Sequence, residues 1–465
     1  MFQTTIDHTP ITFDTALVEK YDRPGPRYTS YPTAPQWQAD IDDAGYRKIL
    51  TNSNDSARPL SLYVHLPFCE SHCSFCGCNV VITKQKSVTT PYLADLAREL
   101  ALVSAALDTK RAVEQLHFGG GTPTYLTCAQ LRDLFENITQ HFHFAPHAEI
   151  GIEVDPRVTT LEQLTTLRAL GFNRVSMGVQ DLDPDVQVAI NRVQPLDQTA
   201  RLIIEARRLG FESVNVDLIY GLPLQTAAGF AETVDAMIAL SPDRIACYSF
   251  AYVPWLKVQQ RNIAPETLPS ATEKLAIWCH TISQFAQAGY EMIGFDHFAK
   301  STDELAIARR TGTLWRNFQG YTTKAGTDLV AFGITGIGDI DGHYIQNEKK
   351  IPAYRRALMA GKLPTTLGCH LTHDDRLRRF VIRELLCHQQ LDLNKFAMRA
   401  GATFDAYFPG ISEILAPLCA DDLVSLTNTA LTISPFGRLF ARNVAMCFDA
   451  YLAAPAGEKK YSRTV

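Results

Sequence analysis

Alternating strand and helix patterns over residues 61 to 252 constrain the fold more than any other feature of this 465-residue chain. Short apolar runs rich in β-branched residues are separated by amphipathic segments of helical period, which is the pattern of strand–helix units in a parallel sheet. We predict an α/β fold in which six such units form a partial (β/α)6, TIM-like barrel, with its chemistry at the carboxyl ends of the strands. The six candidate strands are residues 61–66, 114–119, 149–155, 174–180, 213–220 and 244–253.

Segments of different character flank the predicted barrel. Residues 1–60 carry prolines and tyrosines without a clear period, and we interpret them as an N-terminal extension and a candidate substrate lid. Residues 61–360 would hold the barrel and the substrate region. Residues 361–465 predict a mostly helical C-terminal domain, because a capped amphipathic helix is followed by a short hairpin and another helix. This order resembles a winged helix, which we interpret as a packing domain or lid rather than a DNA-binding module.

Composition argues against several classes of partner. The formal net charge of −5 and the pI near 6.2 supply no global positive field, so we expect no nucleic-acid partner. The first residues lack the features of a secretory signal, and the chain contains no run of about 18 unbroken apolar residues. We therefore expect a cytoplasmic protein with no membrane partner. An acidic substrate would need local arginines.

Four cysteines, Cys69, Cys73, Cys76 and Cys78, lie within ten residues of one another. Structural zinc usually takes two cysteine pairs separated by about a dozen residues or more, so one crowded loop disfavours it. The CxxxCxxC spacing instead suits three different irons of an iron–sulfur cluster, and we predict Cys69, Cys73 and Cys76 as its metal ligands. An open fourth iron could then bind a cofactor. Cys78 is either a packing thiol or takes part in substrate or electron handling.

Glycines and polar side chains gather at the predicted strand ends. Residues 119–121 are three glycines that end the second strand, where they would form a tight turn or let a cofactor approach the backbone closely. Glu153 and Asp155 end the third strand, Gln180 ends the fourth and Asp217 lies in the fifth. One such side chain could be an ordinary ion-pair partner. Their convergence on one rim favours a binding or catalytic site.

Taken together, the motifs of this chain resemble one family. CxxxCxxC after the first strand is similar to the radical S-adenosylmethionine superfamily, and the fourth cysteine with seven further segments resembles the oxygen-independent coproporphyrinogen III oxidases over nearly the whole chain. The segments are YDRPGPRYTSYPT (21–33), GGGTPTYL (119–126), EVDPR (153–157), GVQD (178–181), DLIYGLP (217–223), DHFA (296–299) and RNFQGYTT (316–323). The resemblance implies oxygen-independent oxidative decarboxylation of two propionates of coproporphyrinogen III to vinyl groups, which gives protoporphyrinogen IX in haem biosynthesis.

The resemblance also implies cofactors and the residues that hold them. One 4Fe-4S cluster would bind S-adenosylmethionine as the source of a deoxyadenosyl radical, with the four clustered cysteines and Glu153 as catalytic residues. Contacts to this cofactor are implied for Tyr63, Gly120, Gly121, Glu153 and Ile337. A second S-adenosylmethionine would be lined by Phe75, Thr122, Pro123, Gln180, Arg192, Asp217 and Ala251. A reduced flavodoxin or ferredoxin would supply electrons to the protein, which we expect to be a monomer.

Substrate contacts are expected from the N-terminal extension and from the last motif. Arginine forks and amphipathic rings suit propionates and a macrocycle, although the extension could instead only pack on the barrel. The substrate candidates are Arg23, Arg27, Tyr28, Tyr31, Phe318 and Gln319. The chain departs from the family pattern at four positions that bear on substrate fit and turnover, namely Phe295, Trp315, Gly336 and Gly338. A haem chaperone without decarboxylase activity, or another radical reaction on a tetrapyrrole, is the alternative function.

Overall fold

The N-terminal extension forms regular elements that its sequence does not reveal. A computed structural model of the protein describes residues 2–7, 9–452 and 461–464 of the chain. The elements are β1 (Phe2–Ile6), β2 (Thr9–Phe13), α1 (Thr15–Tyr21) and α2 (Asp43–Asn52). β1 and β2 pair as an antiparallel hairpin. Asp14 and Asp42 cap the two helices by accepting hydrogen bonds from the amides of Ala16 and Gly45.

The six predicted strands all form, and they lie side by side and parallel in their order along the chain. The strands of this part are β3 (Leu60–Leu66), β4 (Phe68–Cys69), β5 (Val81–Ile82), β6 (Val113–Gly120), β7 (Phe144–Val154), β8 (Arg174–Gln180), β9 (Ser213–Tyr220) and β10 (Arg244–Ser249). The helices between them are α3 (Thr89–Ser104), α4 (Cys128–His141), α5 (Leu161–Ala169), α6 (Pro184–Ala189), α7 (Leu196–Arg208) and α8 (Ala227–Leu240). The predicted partial barrel is therefore confirmed.

A seventh parallel strand, which the sequence analysis did not identify, lies beside β3 and extends the barrel sheet. The elements of this region are α9 (Ala271–Gln287), β11 (Tyr290–Ile293), β12 (His297–Lys300), α10 (Glu304–Thr311), β13 (Trp315–Asn317), β14 (Gly320–Thr322), β15 (Asp328–Phe332), β16 (Ile337–Ile340), β17 (His343–Asn347), α11 (Ile351–Met359) and β18 (Thr365–His370). β15 is the additional parallel strand. Antiparallel strands continue the sheet at both edges, β12 and β11 beyond β10, and β16 to β18 beyond β15, which gives twelve strands.

The C-terminal region is mostly helical, with a small sheet as in a winged helix. Its elements are α12 (His373–His388), β19 (Gln390–Asp392), α13 (Leu393–Ala400), α14 (Phe404–Tyr407), α15 (Ile411–Ala420), β20 (Val424–Leu426), β21 (Ala430–Ile433) and α16 (Ala441–Met446). Thr372 and Asp375 form the capping box of α12. The predicted domain boundaries at 60/61 and 360/361 stay predictions, and residues 1, 8, 453–460 and 465 of the two end segments lie outside the described residues.

The N-terminal extension forms hydrogen bonds with the C-terminal region, and its strand β1 packs on α9. Asn443 donates a hydrogen bond from Nδ2 to the Tyr21 carbonyl over 2.7 Å, and Arg442 donates from Nε to the Pro26 carbonyl over 3.0 Å. The Tyr28 hydroxyl donates to Asp449 over 2.9 Å. Within the described residues, no helix is both long enough and apolar enough to cross a lipid bilayer.

The barrel strands separate an apolar outer face from a polar interior. On β3 and β6, the buried residues Val64, Leu116 and Phe118 alternate with Tyr63 and His117, which line the interior. Because successive side chains of a strand point to opposite faces, the apolar residues pack under the helices and the polar residues line the hole. The fold therefore places the polar side chains of several strands around one cavity inside the barrel.

Candidate active site

The interior of the barrel contains a cavity of about 850 Å³, within the range of pockets that hold sizeable organic ligands. Polar residues of β3, β6, β7, β8, β9 and β10 line its wall, and the segment 317–322 and the loop 335–337 border it. Eight of the site residues predicted from the sequence meet here: Tyr63, Cys78, Gly120, Glu153, Asp217, Phe318, Gln319 and Ile337.

The cysteine loop follows β3 directly, and each of the three predicted ligands has a hydrogen-bonding group beside its sulfur. The Thr122 hydroxyl lies 3.4 Å from Cys69 Sγ, and the amide of Cys78 donates to Cys76 Sγ over 3.4 Å. The guanidinium of Arg157 lies 3.5 Å from Cys73 Sγ. Such donors stabilise thiolates and bound sulfide, so the residues present fit an anionic iron–sulfur cluster.

The thiols differ in their electrostatic surroundings. Burial raises the pKa of Cys69 to about 11, so that its thiolate needs compensation by a bound cation. Hydrogen bonding to Cys78 lowers the pKa of Cys76 to about 7, although burial opposes this shift. Cys78 itself lines the cavity and is exposed to its interior. All eleven cysteines are free thiols, and no three His, Cys, Asp or Glu side chains of the described residues converge on a single ion.

Two arginines, Arg157 and Arg192, pair with the carboxylate of Asp155 next to the cysteine loop. Asp155 accepts from both guanidinium ends of Arg192, over 3.1 and 3.2 Å, and from Arg157 over 2.7 Å. Arg192 also donates to the Gly178 carbonyl over 2.7 Å, and its Nη1 lies 3.6 Å from Cys73 Sγ. Burial opposes ionisation, yet Arg192 and Arg157 together lower the pKa of Asp155. Arg157 was not singled out from the sequence, although it ends the motif EVDPR.

The three glycines at the carboxyl end of β6 are required by close approach of neighbouring groups. Gly120 has a φ of +116°, and a Cβ there would lie 2.7 Å from the His65 ring. A Cβ on Gly121 would lie 2.7 Å from the backbone of Pro67, at the start of the cysteine loop. The Gly120 amide donates to Glu153 Oε2 over 3.0 Å. The turn therefore brings the backbone against both the cysteine loop and the predicted catalytic carboxylate.

Glu153 lies half-buried in the cavity wall and is held in its ionised form. His117 Nε2 donates to Glu153 Oε1 over 3.4 Å, and the His117 ring stacks at 6.2 Å on that of Tyr63. Burial alone would raise the pKa of Glu153, but the hydrogen bonds from His117 and Gly120 lower it below its usual range. Sequence reasoning missed His117, which the alternation Gln115, Leu116, His117, Phe118 would have placed on the interior face.

A second carboxylate, Asp217 of β9, and His297 of β12 also line the cavity. Asp217 accepts hydrogen bonds from Asn215 over 2.7 Å and from Ser176 over 3.1 Å. Burial and the charge of Glu153 raise its pKa to about 6. His297 lies 3.5 Å from the Tyr248 hydroxyl and 2.6 Å from Asp296. His297 belongs to the motif DHFA, but the motif gave no reason to choose it as a site residue.

Six residues predicted for a second cofactor site do not line the barrel cavity: Phe75, Thr122, Pro123, Gln180, Arg192 and Ala251. Gln260 links two of them by donating to the carbonyls of Phe75 and Ala251 over 3.2 and 3.0 Å. Their role in cofactor binding stays a prediction.

The extension residues predicted for substrate also lie outside the cavity wall. Arg23 is exposed, and Arg27 donates to the Ser249 carbonyl and borders a separate small cavity. Tyr28 and Tyr31 are buried, and the Tyr31 hydroxyl accepts from the Ala450 amide over 3.0 Å. These four substrate contacts stay predictions.

The positions that depart from the family pattern pack close to neighbouring groups. Phe295 lies under the Arg316 guanidinium at 4.8 Å, and Trp315 lies under that of Arg383 at 3.6 Å. A Cβ on Gly336 would approach the Gly333 carbonyl to 3.1 Å, and one on Gly338 the Leu329 carbonyl to 3.0 Å. The two glycines therefore allow a close backbone approach beside Ile337.

Comparison with known proteins places this geometry in context. The family model of the Radical SAM superfamily matches residues 63–237, and that of the HemN C-terminal domain matches residues 371–440. The oxygen-independent coproporphyrinogen III oxidase of Salmonella typhimurium is 45% identical over 98% of this chain and 99% of its own length. The Pseudomonas aeruginosa protein of the same name is 44% identical over 98% of this chain and 99% of its own. The solved structure of coproporphyrinogen III oxidase (HemN) from Escherichia coli, described as a radical SAM enzyme, superimposes with a TM-score of 0.89 at 42% identity, covering 95% of this chain and 99% of that chain.

Proposed function

The chain belongs to the oxygen-independent coproporphyrinogen III oxidases of the radical SAM superfamily, and we propose that the barrel cavity with the adjoining cysteine loop is the site of its reaction. The protein is an oxidoreductase that decarboxylates two propionates of coproporphyrinogen III to vinyl groups, giving protoporphyrinogen IX. A haem chaperone is not favoured, because the relatives compared above carry the oxidase name.

Cys69, Cys73 and Cys76 would hold the 4Fe-4S cluster, and the donors beside their sulfurs support this assignment. When bound, the cluster and S-adenosylmethionine supply one-electron chemistry that removes a hydrogen from an unactivated carbon, which side-chain acids and bases cannot do. Arg157 and Arg192 place two positive charges beside Cys73 and so stabilise a negatively charged group there. This arrangement, in a loop that adjoins the cavity through Cys78, is the observation that carries the proposal.

The cavity residues would bind and orient the cofactor and the substrate. Glu153, ionised and fixed by Gly120 and His117, offers a negative acceptor to the positively charged methionyl part of S-adenosylmethionine. Tyr63, Gly121 and Ile337 would complete this contact. Phe318 and Gln319 border the space left for the tetrapyrrole. Enclosure in the barrel excludes water and protects a reactive species from side reactions.

The barrel interior also supplies the local arginines that an acidic substrate needs. Arg174 and Arg244 line the cavity near the amino ends of their strands. Arg174 pairs with Glu304 and Arg244 pairs with Asp303 over 2.8 Å, but Nε of Arg174 and Nη2 of Arg244 are buried without a hydrogen-bond partner among the described residues. Buried guanidinium nitrogens of this kind are suited to a carboxylate of the substrate. We assign propionate binding to this pair.

Anaerobic turnover tests the proposed function. The reconstituted protein is incubated with a reductant, S-adenosylmethionine and coproporphyrinogen III, and the products are analysed by mass spectrometry. Two successive losses of the mass of formic acid, accompanied by deoxyadenosine, are expected from the oxidase. Haem binding without these products would contradict the assignment and favour the chaperone.

Cellular context and electron supply belong to the same proposal. Eleven free thiols support a reducing, cytoplasmic location, and the solvent-exposed edge of the cysteine loop at Ser71 and Gly77 supports docking of a small carrier such as flavodoxin or ferredoxin. We propose a monomer and a second S-adenosylmethionine near Gln180 and Arg192. Light scattering and the stoichiometry of S-adenosylmethionine bound to the anaerobic holoenzyme test these two points, and a dimer or a single bound cofactor would contradict them.

A further inference from the structure

A second cavity, of about 410 Å³, lies between the barrel and the C-terminal region. Its wall is formed by the start of β15, the turn between β16 and β17, residues of β13, and one face of α12. It shares only Asn317 with the barrel cavity. Its volume is within the range of small-molecule sites.

The charge of this cavity is opposite in sign to that of the chain. Five arginines and three aspartates line it, whereas the whole chain has a formal net charge of −5. Arg376, Arg379 and Arg383 lie three and four residues apart on α12, a spacing that brings them onto one face of the helix. Arg399 of α13 and Arg58 complete the set. A positive cleft of this kind attracts an anion into a protein that otherwise repels it.

The aspartates neutralise only two of the five arginines. Arg379 pairs with Asp339, and Arg58 pairs with Asp328 over 3.3 Å. Arg376 and Arg399 have no carboxylate partner among the described residues. Arg383 makes one long contact of 3.4 Å with Glu384, and its buried Nε has no hydrogen-bond partner within the described part of the chain. Three guanidinium groups are therefore available to a ligand.

Aromatic rings fix two of these guanidinium groups in position. Arg383 stacks over the Trp315 ring at 3.6 Å, and Arg399 lies over the Phe380 ring at 4.9 Å. A guanidinium that stacks through its face keeps its N–H edges free for bidentate hydrogen bonds to a carboxylate or phosphate. Trp315 and Phe380 also offer apolar surface to the body of the ligand.

From the cavity, the excess of arginines and the stacking rings, we propose that this site binds an organic anion that carries at least two carboxylate or phosphate groups. The proposal does not depend on decarboxylation in the barrel. Two sources share this chemistry: the propionates of a tetrapyrrole, which the common residue Asn317 would bring next to the barrel cavity, and a separate phosphorylated metabolite.

Calorimetric titration of the anaerobic holoenzyme with two probes, coproporphyrin III and inorganic pyrophosphate, tests the proposal. The variant Arg376→Gln/Arg399→Gln removes two exposed guanidinium groups that have no carboxylate partner, and Arg399→Gln alone is the second variant. Arg201→Gln/Arg208→Gln on the outer face of α7 removes the same charge elsewhere. Iron content and the urea unfolding curve report that each variant is folded.

At least one probe should bind, and its affinity should fall about tenfold or more in Arg376→Gln/Arg399→Gln, by a smaller factor in Arg399→Gln, and not in the α7 control. An effect on coproporphyrin alone identifies the tetrapyrrole source, and an effect on pyrophosphate identifies the phosphate source. Binding of neither probe, or equal affinities in the wild type and the double variant, would overturn the proposal. Neither result bears on turnover in the barrel, so the two proposals fail separately.

Discussion

Replacement of Glu153 by glutamine tests how the cavity holds its cofactor. The carboxylate accepts from the Gly120 amide over 3.0 Å and from His117 over 3.4 Å, and its lowered pKa keeps it charged. In Glu153→Gln the amide oxygen can still accept from Gly120, and His117 can change tautomer to accept from the new NH2 group. We therefore expect the fold and the cluster to survive while the negative charge is lost.

The size of the effect follows from the interaction that is lost. A hydrogen bond to a charged group contributes about 1.5 to 3 kcal/mol, so S-adenosylmethionine should bind about 10- to 150-fold more weakly. Because the pKa of Glu153 is lowered, its contribution is lost only as pH falls below the usual carboxyl range, and the ratio between variant and wild type should stay constant from about pH 6 to 8.

Isothermal titration of anaerobic, cluster-loaded protein with S-adenosylmethionine measures this difference. Glu149→Gln is the matched control, since Glu149 lies four residues earlier on the same face of β7 and contacts Gln115 and Arg174 instead. The control should bind within about twofold of the wild type. An equally small change in Glu153→Gln, with full iron content, would refute the role given to this carboxylate.

Three further predictions concern the wall of the cavity and its supports. The pKa of Asp217 is raised to about 6, so its carboxyl group becomes negatively charged as pH rises through that value. The affinity for the cationic S-adenosylmethionine should therefore rise over the same pH range. In Asp217→Asn the affinity should not change with pH over this range, and a rise as in the wild type would contradict the assignment. Burial raises the pKa of Glu99, which accepts from the Gly333 amide and Tyr354, from 4.5 to about 7; the associated stability, about 3 kcal/mol, is present below pH 4.5 and lost as pH rises through about 7. Urea unfolding of Glu99→Gln should lack this slope, and an unchanged slope would contradict the assignment. Gly120→Ala should cost about 1 to 3 kcal/mol in the same unfolding assay and reduce S-adenosylmethionine cleavage, because φ is +116° and the new methyl group would meet His65; wild-type stability would contradict this.

Much of the fold could be predicted because period-two alternation and βα spacing are local properties of the sequence. Six strands follow that rule and formed as expected: β3, β6, β7, β8, β9 and β10. β15 was missed because it lies in a stretch without a following helix, and it is recognisable only by its pairing with β3, more than 260 residues earlier. The elements of the extension are not evident from its sequence because they are short and are stabilised by distant parts of the chain: β1 packs on α9, and Tyr21 at the end of α1 binds Asn443.

The candidate site was predictable where its chemistry is concentrated in motifs. Cys69, Cys73 and Cys76 share one loop, and Glu153 and Asp217 lie on β7 and β9, the two strands that flank β8. His117 and Arg157 escaped notice because each is linked to the candidate site only by a contact with another strand or loop, Glu153 in one case and Cys73 in the other. Tyr28 and Tyr31 look like ligand contacts in the sequence, yet their hydroxyl groups are bonded to residues of the C-terminal region, at Asp449 and Ala450.

Iron analysis and spin-resonance spectroscopy of four cysteine-to-alanine variants test the assignment of three cluster ligands most directly. We expect Cys78→Ala to keep about four irons per chain and to show S-adenosylmethionine bound at an iron that has no protein ligand. Cys69→Ala, Cys73→Ala and Cys76→Ala should each lose the cluster and the production of deoxyadenosine together. A cluster that disappears in Cys78→Ala, or four irons all ligated by protein sulfur in the wild type, would contradict the assignment.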